Sequence, residues 1–418
     1  MKQIVLRKGK EESLLRFHPW IFSGAVGHVD EGTADGDIVR VLTSGGSYIA
    51  TGHYQGGSIA VRVLTFDDEP INETFWKKRL YAAMKVRECI FGNNGNNSIY
   101  RLVHGEGDNL PGLVVDMYGR TAVMQAHSIG MHLCRNEIAR ALADVTGVEN
   151  IFYKSETTLP FMDTSGGFII GHSDDNIATE NGLRFHVDWL KGQKTGFFVD
   201  QRDNRSLVEH YSQGRRVLNM FCYTGGFSVY AMRGGAVTVH SVDSSAKAIT
   251  LTEKNITLNF PNDSRHKAYC EDAFKFLEGT VRASREQSQA CLSYAEAPPE
   301  LAEGTVSSKR EQSSGYDLII LDPPAFAKHR GALHNALKGY IRLNQKALEK
   351  IASDGILFTF SCSQVVTKDN FRNAVFTAAA LAKRRVRILH QLHQPADHPI
   401  NIYHPEGEYL KGLVLYVE

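Results

Sequence analysis

The chain has 418 residues, enough for two or three domains with cores of their own. Lys+Arg 47 stand against Asp+Glu 46, so no global field marks the whole chain for a polyanionic partner, although a local patch still can. Six cysteines without a CxxC pair, and no apolar run near the roughly 18 residues of a membrane helix, argue against a disulfide framework, a zinc cage and a membrane span, and lead us to expect a cytoplasmic protein.

The N-terminus carries no signal-peptide core, and its local basic excess is Lys2, Arg7, Lys8, Lys10 and Arg16, either a solvated strand or a phosphate-holding patch. Short β-like runs at 3–6, 38–42, 47–54 and 59–64, separated by glycines, predict a small all-β barrel over 1–72. A helical pattern follows over 72–91, with Phe75, Leu80, Ala83 and Ile90 on one side, and then a polar turn over 92–98. Residues 114–126 read as a hairpin turning at Tyr118-Gly119-Arg120. A helix over 130–146 and strands at 151–154 and 168–171 complete a central α+β domain, 73–183.

From about Arg184 to the end (184–418) strands alternate with helices, the strands at 217–221, 237–242, 266–270, 317–321 and 356–360. That rhythm predicts an α/β fold, a doubly wound parallel sheet, closed by a terminal hairpin from 385–392 and 412–417. Residues 283–315, polar and interrupted by Pro298-Pro299, read as a flexible insertion, which makes Cys291 irrelevant to catalysis.

Strand ends carry the chemistry. The first strand runs through Asn219 to Phe221-Cys222-Tyr223-Thr224-Gly225-Gly226 and enters a helix through two glycines, which let a ligand approach the backbone. The pattern is not GxGxxG and no phosphate-binding lysine follows, so pyrophosphate binding is unsupported. Asp243 closes the second strand, Asp272 follows the third and Asp322 the fourth. One such acid is as often a helix cap as a ligand. Three in order point to adenosine binding. Leu321-Asp322-Pro323-Pro324 and Ser361-Cys362-Ser363 then place a carboxylate and a thiol at two strand ends, where open α/β sheets bind ligands. An isolated cysteine is commonly a small buried hydrophobe, the reading that suits Cys222 and Cys270. Cys362, between two serines and opposite Asp322, reads instead as a nucleophile.

These motifs, with His18-Pro19-Trp20-Ile21-Phe22, the run from Arg101 to Asp116, the run from Thr195 to Arg205 and the tail from Pro405 to Lys411, resemble the rRNA large-subunit methyltransferase I family, whose fold is a class I S-adenosylmethionine-dependent methyltransferase with an N-terminal PUA domain. The resemblance implies S-adenosylmethionine as cofactor and 5-methylcytosine in 23S rRNA as product. It places Phe221, Tyr223, Thr224 and Gly225 at the methionine side, Asp243 at the ribose, Asp272 at the adenine, and Phe198 and Gln201 near the cofactor's open face. Cytosine C5 is a poor nucleophile, so its methylation needs a thiolate to add at C6; Cys362 has that role, and Asp322 binds N3 and the exocyclic amine. Ala325 stands where many RNA cytosine-C5 enzymes carry a second cysteine, so a single-cysteine enzyme is expected, with the C5 base open. The expected partner is the rRNA of the large ribosomal subunit, bound with help from the N-terminal basic residues; the sequence is compatible with a homodimer. Three alternatives stay open: a base N-methyltransferase using Asp-Pro-Pro and Phe326, a small-molecule methyltransferase, and a non-enzymatic ribosome-assembly factor.

Overall fold

The computed structural model describes residues 1–92, 96–159, 166–279, 315–327 and 329–418. The expected insertion at 283–315, with Cys291, lies outside the described residues except for Gly315, as do positions 93–95 of the expected turn. The chain forms two compact units, Met1–Asp203 with Gln394–Glu408, and Asn204–His393 with Tyr409–Glu418.

The first unit holds two larger sheets and a hairpin. Strands β1 (Lys2–Leu6), β2 (Trp20–Phe22), β3 (Val26–Val29), β4 (Ile38–Leu42), β5 (Tyr48–Tyr54) and β6 (Ile59–Thr65) make a six-stranded sheet in the order β2-β6-β5-β4-β1-β3. Alternate side chains of β1, β4 and β6 (Ile4, Leu6, Val39, Val41, Val61, Val63) point into one core with Leu14, which is the period-2 burial that makes these runs strands. Strands β7 (Ile99–His104), β8 (Leu113–Tyr118), β9 (Thr121–Ala126), β10 (Asn150–Tyr153) and β11 (Gly167–Ile170) form the second sheet, order β11-β10-β9-β8-β7. A helix over Glu73–Phe91, capped by Asn72 Oδ1 accepting from the Phe75 N–H at 3.1 Å, covers it. The helix expected over 130–146 is divided at Cys134 into Ile129–Leu133 and Arg135–Thr146, with Gly130 packed on the His53 ring and Cys134 Sγ 3.7 Å from His53 Nε2. Strands β12 (Ile177–Glu180) and β13 (Leu183–His186) pair through Asn181-Gly182, both at positive φ.

The second unit is a seven-stranded sheet in the order β16-β15-β14-β17-β18-β20-β19, from β14 (Arg216–Met220), β15 (Thr238–Asp243), β16 (His266–Cys270), β17 (Tyr316–Leu321), β18 (Ile351–Ser361), β19 (Val386–Leu392) and β20 (Lys411–Val417). The first five run parallel; β20 enters antiparallel between β18 and β19. The apolar runs of the central strands β14, β17 and β18 are buried on both faces, as central parallel strands must be, with Leu218, Met220, Ile319, Leu321 and Leu357 packed against Tyr340, Leu343 and Phe371. Strand order reverses at β14, so the crevice beyond the carboxyl ends of β14 and β17 is the ligand position of this α/β sheet.

Candidate active site

The loop leaving β14 is held in an unusual shape. Phe221, Tyr223 and Gly225 all have positive φ (59°, 47° and 73°), a region costly for residues with a Cβ. The strain is held by a helix over Ala246–Asn259: Thr252 Oγ1 donates to the Tyr223 carbonyl at 3.1 Å and Asn255 Nδ2 to the Thr224 carbonyl at 2.8 Å. The sequence reading missed these two residues; their signal was a Thr and an Asn three apart on a face shared with Ile249 and Ile256. Gly225 sits so close to that helix that a Cβ would lie 2.7 Å from Thr252 Cγ2. Asn219 anchors the helix Gly226–Arg233 to β14 by donating from Nδ2 to Ser228 Oγ at 2.9 Å.

Asp243, half-buried at the end of β15, accepts from the Tyr223 N–H at 3.1 Å and the Ser245 N–H at 2.9 Å, tying the β14 loop to the β15 loop. Asp272 is the N-cap of the helix Ala273–Glu278, its Oδ1 accepting from the N–H groups of Phe274 at 3.0 Å and Lys275 at 3.1 Å. The cap role weighed for a lone strand-end acid is therefore real here, and it uses Oδ1 alone.

On the other side of β14, β17 and β18 pair in parallel with Leu321 beside Thr359, so Asp322 and Cys362 emerge from neighbouring strand ends. Cys362 is half-exposed, and its Sγ lies 4.0 Å from the Pro323 carbonyl oxygen. Its two neighbours are fully buried and tied down. Ser361 Oγ donates to Tyr340 OH at 2.9 Å, and Ser363 Oγ lies 3.3 Å from Tyr340 OH and accepts from the Ala327 N–H at 3.3 Å. Lys411 Nζ, at the start of β20, donates to the Ser363 carbonyl at 2.7 Å and the Val366 carbonyl at 2.6 Å. Tyr340 and Lys411 were not singled out from sequence for this site.

The other cysteines behave differently. Burial pushes the Cys222 thiol up to about 12, which leaves it an inert core group. Cys270, expected in the core, is exposed at the end of β16, because the side chains of this edge strand are only partly covered; its reading as core filling is corrected. Phe198 and Gln201 belong to the first unit, and the site built here is that of the second. Among the described residues, no cluster of His, Cys, Asp and Glu could hold a metal ion, and no helix is long and apolar enough to cross a membrane.

The donor set suits a nucleoside cofactor without phosphates. A tight glycine turn lies beside a carboxylate that can accept from a ribose diol, and a second carboxylate at the next strand end can accept from an adenine amine.

Comparison with known proteins agrees. Residues 4–66 match the PUA-like domain family, and 162–284 match the S-adenosylmethionine-dependent methyltransferase family. The fold is shared with a putative SAM-dependent methyltransferase from Streptococcus mutans (TM-score 0.79, 21% identity, 100% of both chains) and with SMU.776, a putative methyltransferase complexed with SAH (TM-score 0.80, 21% identity, 100% of both chains). The ribosomal RNA large subunit methyltransferase I of Aeromonas hydrophila subsp. hydrophila is 38% identical over 420 residues, covering 99% of this chain and 98% of that protein. Its counterpart from Escherichia coli O139:H28 is 35% identical over 422 residues, covering 99% of each. With such similarity along the whole of both chains, the chain belongs to the S-adenosylmethionine-dependent ribosomal RNA large subunit methyltransferase I family.

Proposed function

We propose that this rRNA methyltransferase acts on C5 of a cytosine in 23S rRNA through a covalent adduct with Cys362, in the cytoplasm. The observation that carries the reading is the half-exposed Cys362 thiol beside the Asp322-Pro323-Pro324 loop, at the ends of two adjacent parallel strands. Phe221, Tyr223, Thr224 and Gly225 take the methionine end of the cofactor, Asp243 the ribose and Asp272 the adenine. When bound, S-adenosylmethionine supplies a methyl group on a cationic sulfur.

The chain's own residues make the cytosine reactive. The Cys362 thiolate forms a bond to C6, and the C5–C6 electron pair moves towards C5, giving it enamine character. Asp322, carrying a proton, donates it towards N3 as negative charge develops there, while its other oxygen accepts from the exocyclic amine; the proton returns to Asp322 when Cys362 leaves. After methyl transfer a base takes the C5 proton, the pair re-forms the C5–C6 double bond, and Cys362 leaves as thiolate. The base must be unstacked to reach this position. The N-methyltransferase alternative wants an aromatic against the amino group, whereas Phe326 packs on Tyr340 with ring centroids 4.7 Å apart.

A test uses RNA containing 5-fluorocytidine, whose C5 carries no proton to lose after methylation. The account predicts a denaturation-stable protein–RNA adduct mapping to Cys362 and needing the cofactor. Full turnover with no adduct would overturn it.

A further inference from the structure

A lysine is seldom buried, and Lys411 is 6% exposed. Two of its N–H groups are spent on carbonyls of the turn that follows Cys362, those of Ser363 and Val366. A salt bridge on the surface would have left it in water; here a desolvated ammonium is aimed at the backbone beside the proposed nucleophile. The same turn is also held by Tyr340, whose hydroxyl contacts both flanking serines.

We propose that Lys411 is a positioning residue for Cys362: its ammonium, bonded to the carbonyls after the cysteine, fixes the turn carrying the thiol and favours the thiolate over the thiol. The inference rests on the reading of Cys362 as nucleophile and deepens it. The thiol proton passes to solvent, which Cys362 reaches because it is only half-buried. Titratable groups stand on each element packed around the turn. Asp322, at the end of β17, opposes a second negative charge when ionised. Tyr340, on the helix Leu333–Lys350, is pushed up first by burial and further by Cys362, against its hydrogen bonds with Ser361 and Ser363, and stays neutral. Lys368 and Asp369, at the start of the helix Lys368–Leu381, are exposed and screened by water. Lys411 is the buried cation of this set, and a nearby cation lowers the pH at which a thiol ionises.

The test is the pH dependence of Cys362 alkylation by iodoacetamide, read on its own peptide by mass spectrometry in the full chain. Wild type should give a midpoint below the roughly 8.5 of a free thiol. Lys411→Met and Lys411→Gln should raise it by about one unit or more, and Lys411→Arg should leave it low. Methylation by Lys411→Gln should fall about tenfold in kcat at neutral pH with little change in KM for RNA, and recover as pH rises. Gln keeps a donor for the carbonyls, so it separates charge from folding. A wild-type midpoint at or above that of a free thiol, or an identical midpoint in wild type and Lys411→Gln, overturns the proposal. If both neutral variants fail to fold, the wild-type profile decides. Alkylation is read without turnover, so it is independent of the C5 chemistry: Cys362→Ala retaining cytosine methylation would sink that reading separately.

Discussion

Cys362 Sγ lies 4.0 Å from the carbonyl oxygen of Pro323, so the turn after β18 and the loop after β17 meet at the sulfur. Two prolines stiffen that loop, and the buried serines around Cys362 fix the turn, with the thiol half-buried between them. The arrangement holds the proposed nucleophile and acid directly after two adjacent strands, as a reaction needing defined approach geometry requires.

Asp243 links the loops after β14 and β15, which line the proposed cofactor crevice, through the N–H groups of Tyr223 and Ser245. Asp243→Asn removes the charge from these bonds and from the proposed ribose contact, so affinity for S-adenosylhomocysteine should drop about tenfold to a hundredfold, the worth of a charge-assisted hydrogen bond. Calorimetric titration checks this; unchanged affinity would remove Asp243 from the site.

The observed cap role of Asp272 and its proposed adenine contact separate by substitution. Asp272→Asn keeps an oxygen for the cap on Phe274 and Lys275 and should leave stability nearly intact, whereas Asp272→Ala should cost about 1 kcal/mol. Both should weaken the cofactor. A variant set in which only Ala has any effect on binding would make Asp272 a cap and nothing more.

Gly225 is required twice over, by its φ of 73° and by the 2.7 Å a Cβ would leave to Thr252 Cγ2. Gly225→Ala should lower stability by about 1–3 kcal/mol and cofactor affinity with it, since the helix Ala246–Asn259 would have to move. Thermal melts with and without S-adenosylhomocysteine measure both; wild-type values for the two would contradict the packing described.

The His53 imidazole is buried against Trp76, and burial lowers its pKa to about 4. The unfolded chain takes up that proton near pH 6.5 while the folded one does not, so stability is full above about 6.5 and falls as pH drops towards 4. By pH 5 the loss from this one group is about 2 kcal/mol. His53→Phe, neutral throughout, should show a smaller drop between pH 7 and 5 in denaturant titrations; equal drops would show that His53 does not drive it.

The centre of the parallel sheet was legible because the runs of β14, β17 and β18 are apolar on both faces, and Asp243, Asp322 and Cys362 stand at or just past strand ends. What escaped depends on contacts between distant positions. Segment 394–408 returns to the first unit, where Asp397 accepts a bidentate pair from Arg202 at 2.7 and 2.9 Å and the Arg101 N–H at 3.0 Å; nothing local in the sequence announces that. Lys411 is the first residue of β20, and its burial rests on contacts with the turn after β18, some forty-five residues earlier, which no local pattern marks. Asn181-Gly182 is a local hairpin signal, but the strands it joins, β12 and β13, are only four residues each and give a weak alternation. The break at Cys134 has no Gly or Pro of its own to mark it and follows from packing on His53.

The central claim is tested most directly by nucleoside mass spectrometry of deproteinised large-subunit rRNA lacking the modification, after incubation with methyl-labelled cofactor and either wild type or Cys362→Ala. Labelled 5-methylcytidine with wild type and none with the variant is the predicted result. Label in a methylated guanosine or adenosine, undiminished by Cys362→Ala, would contradict it.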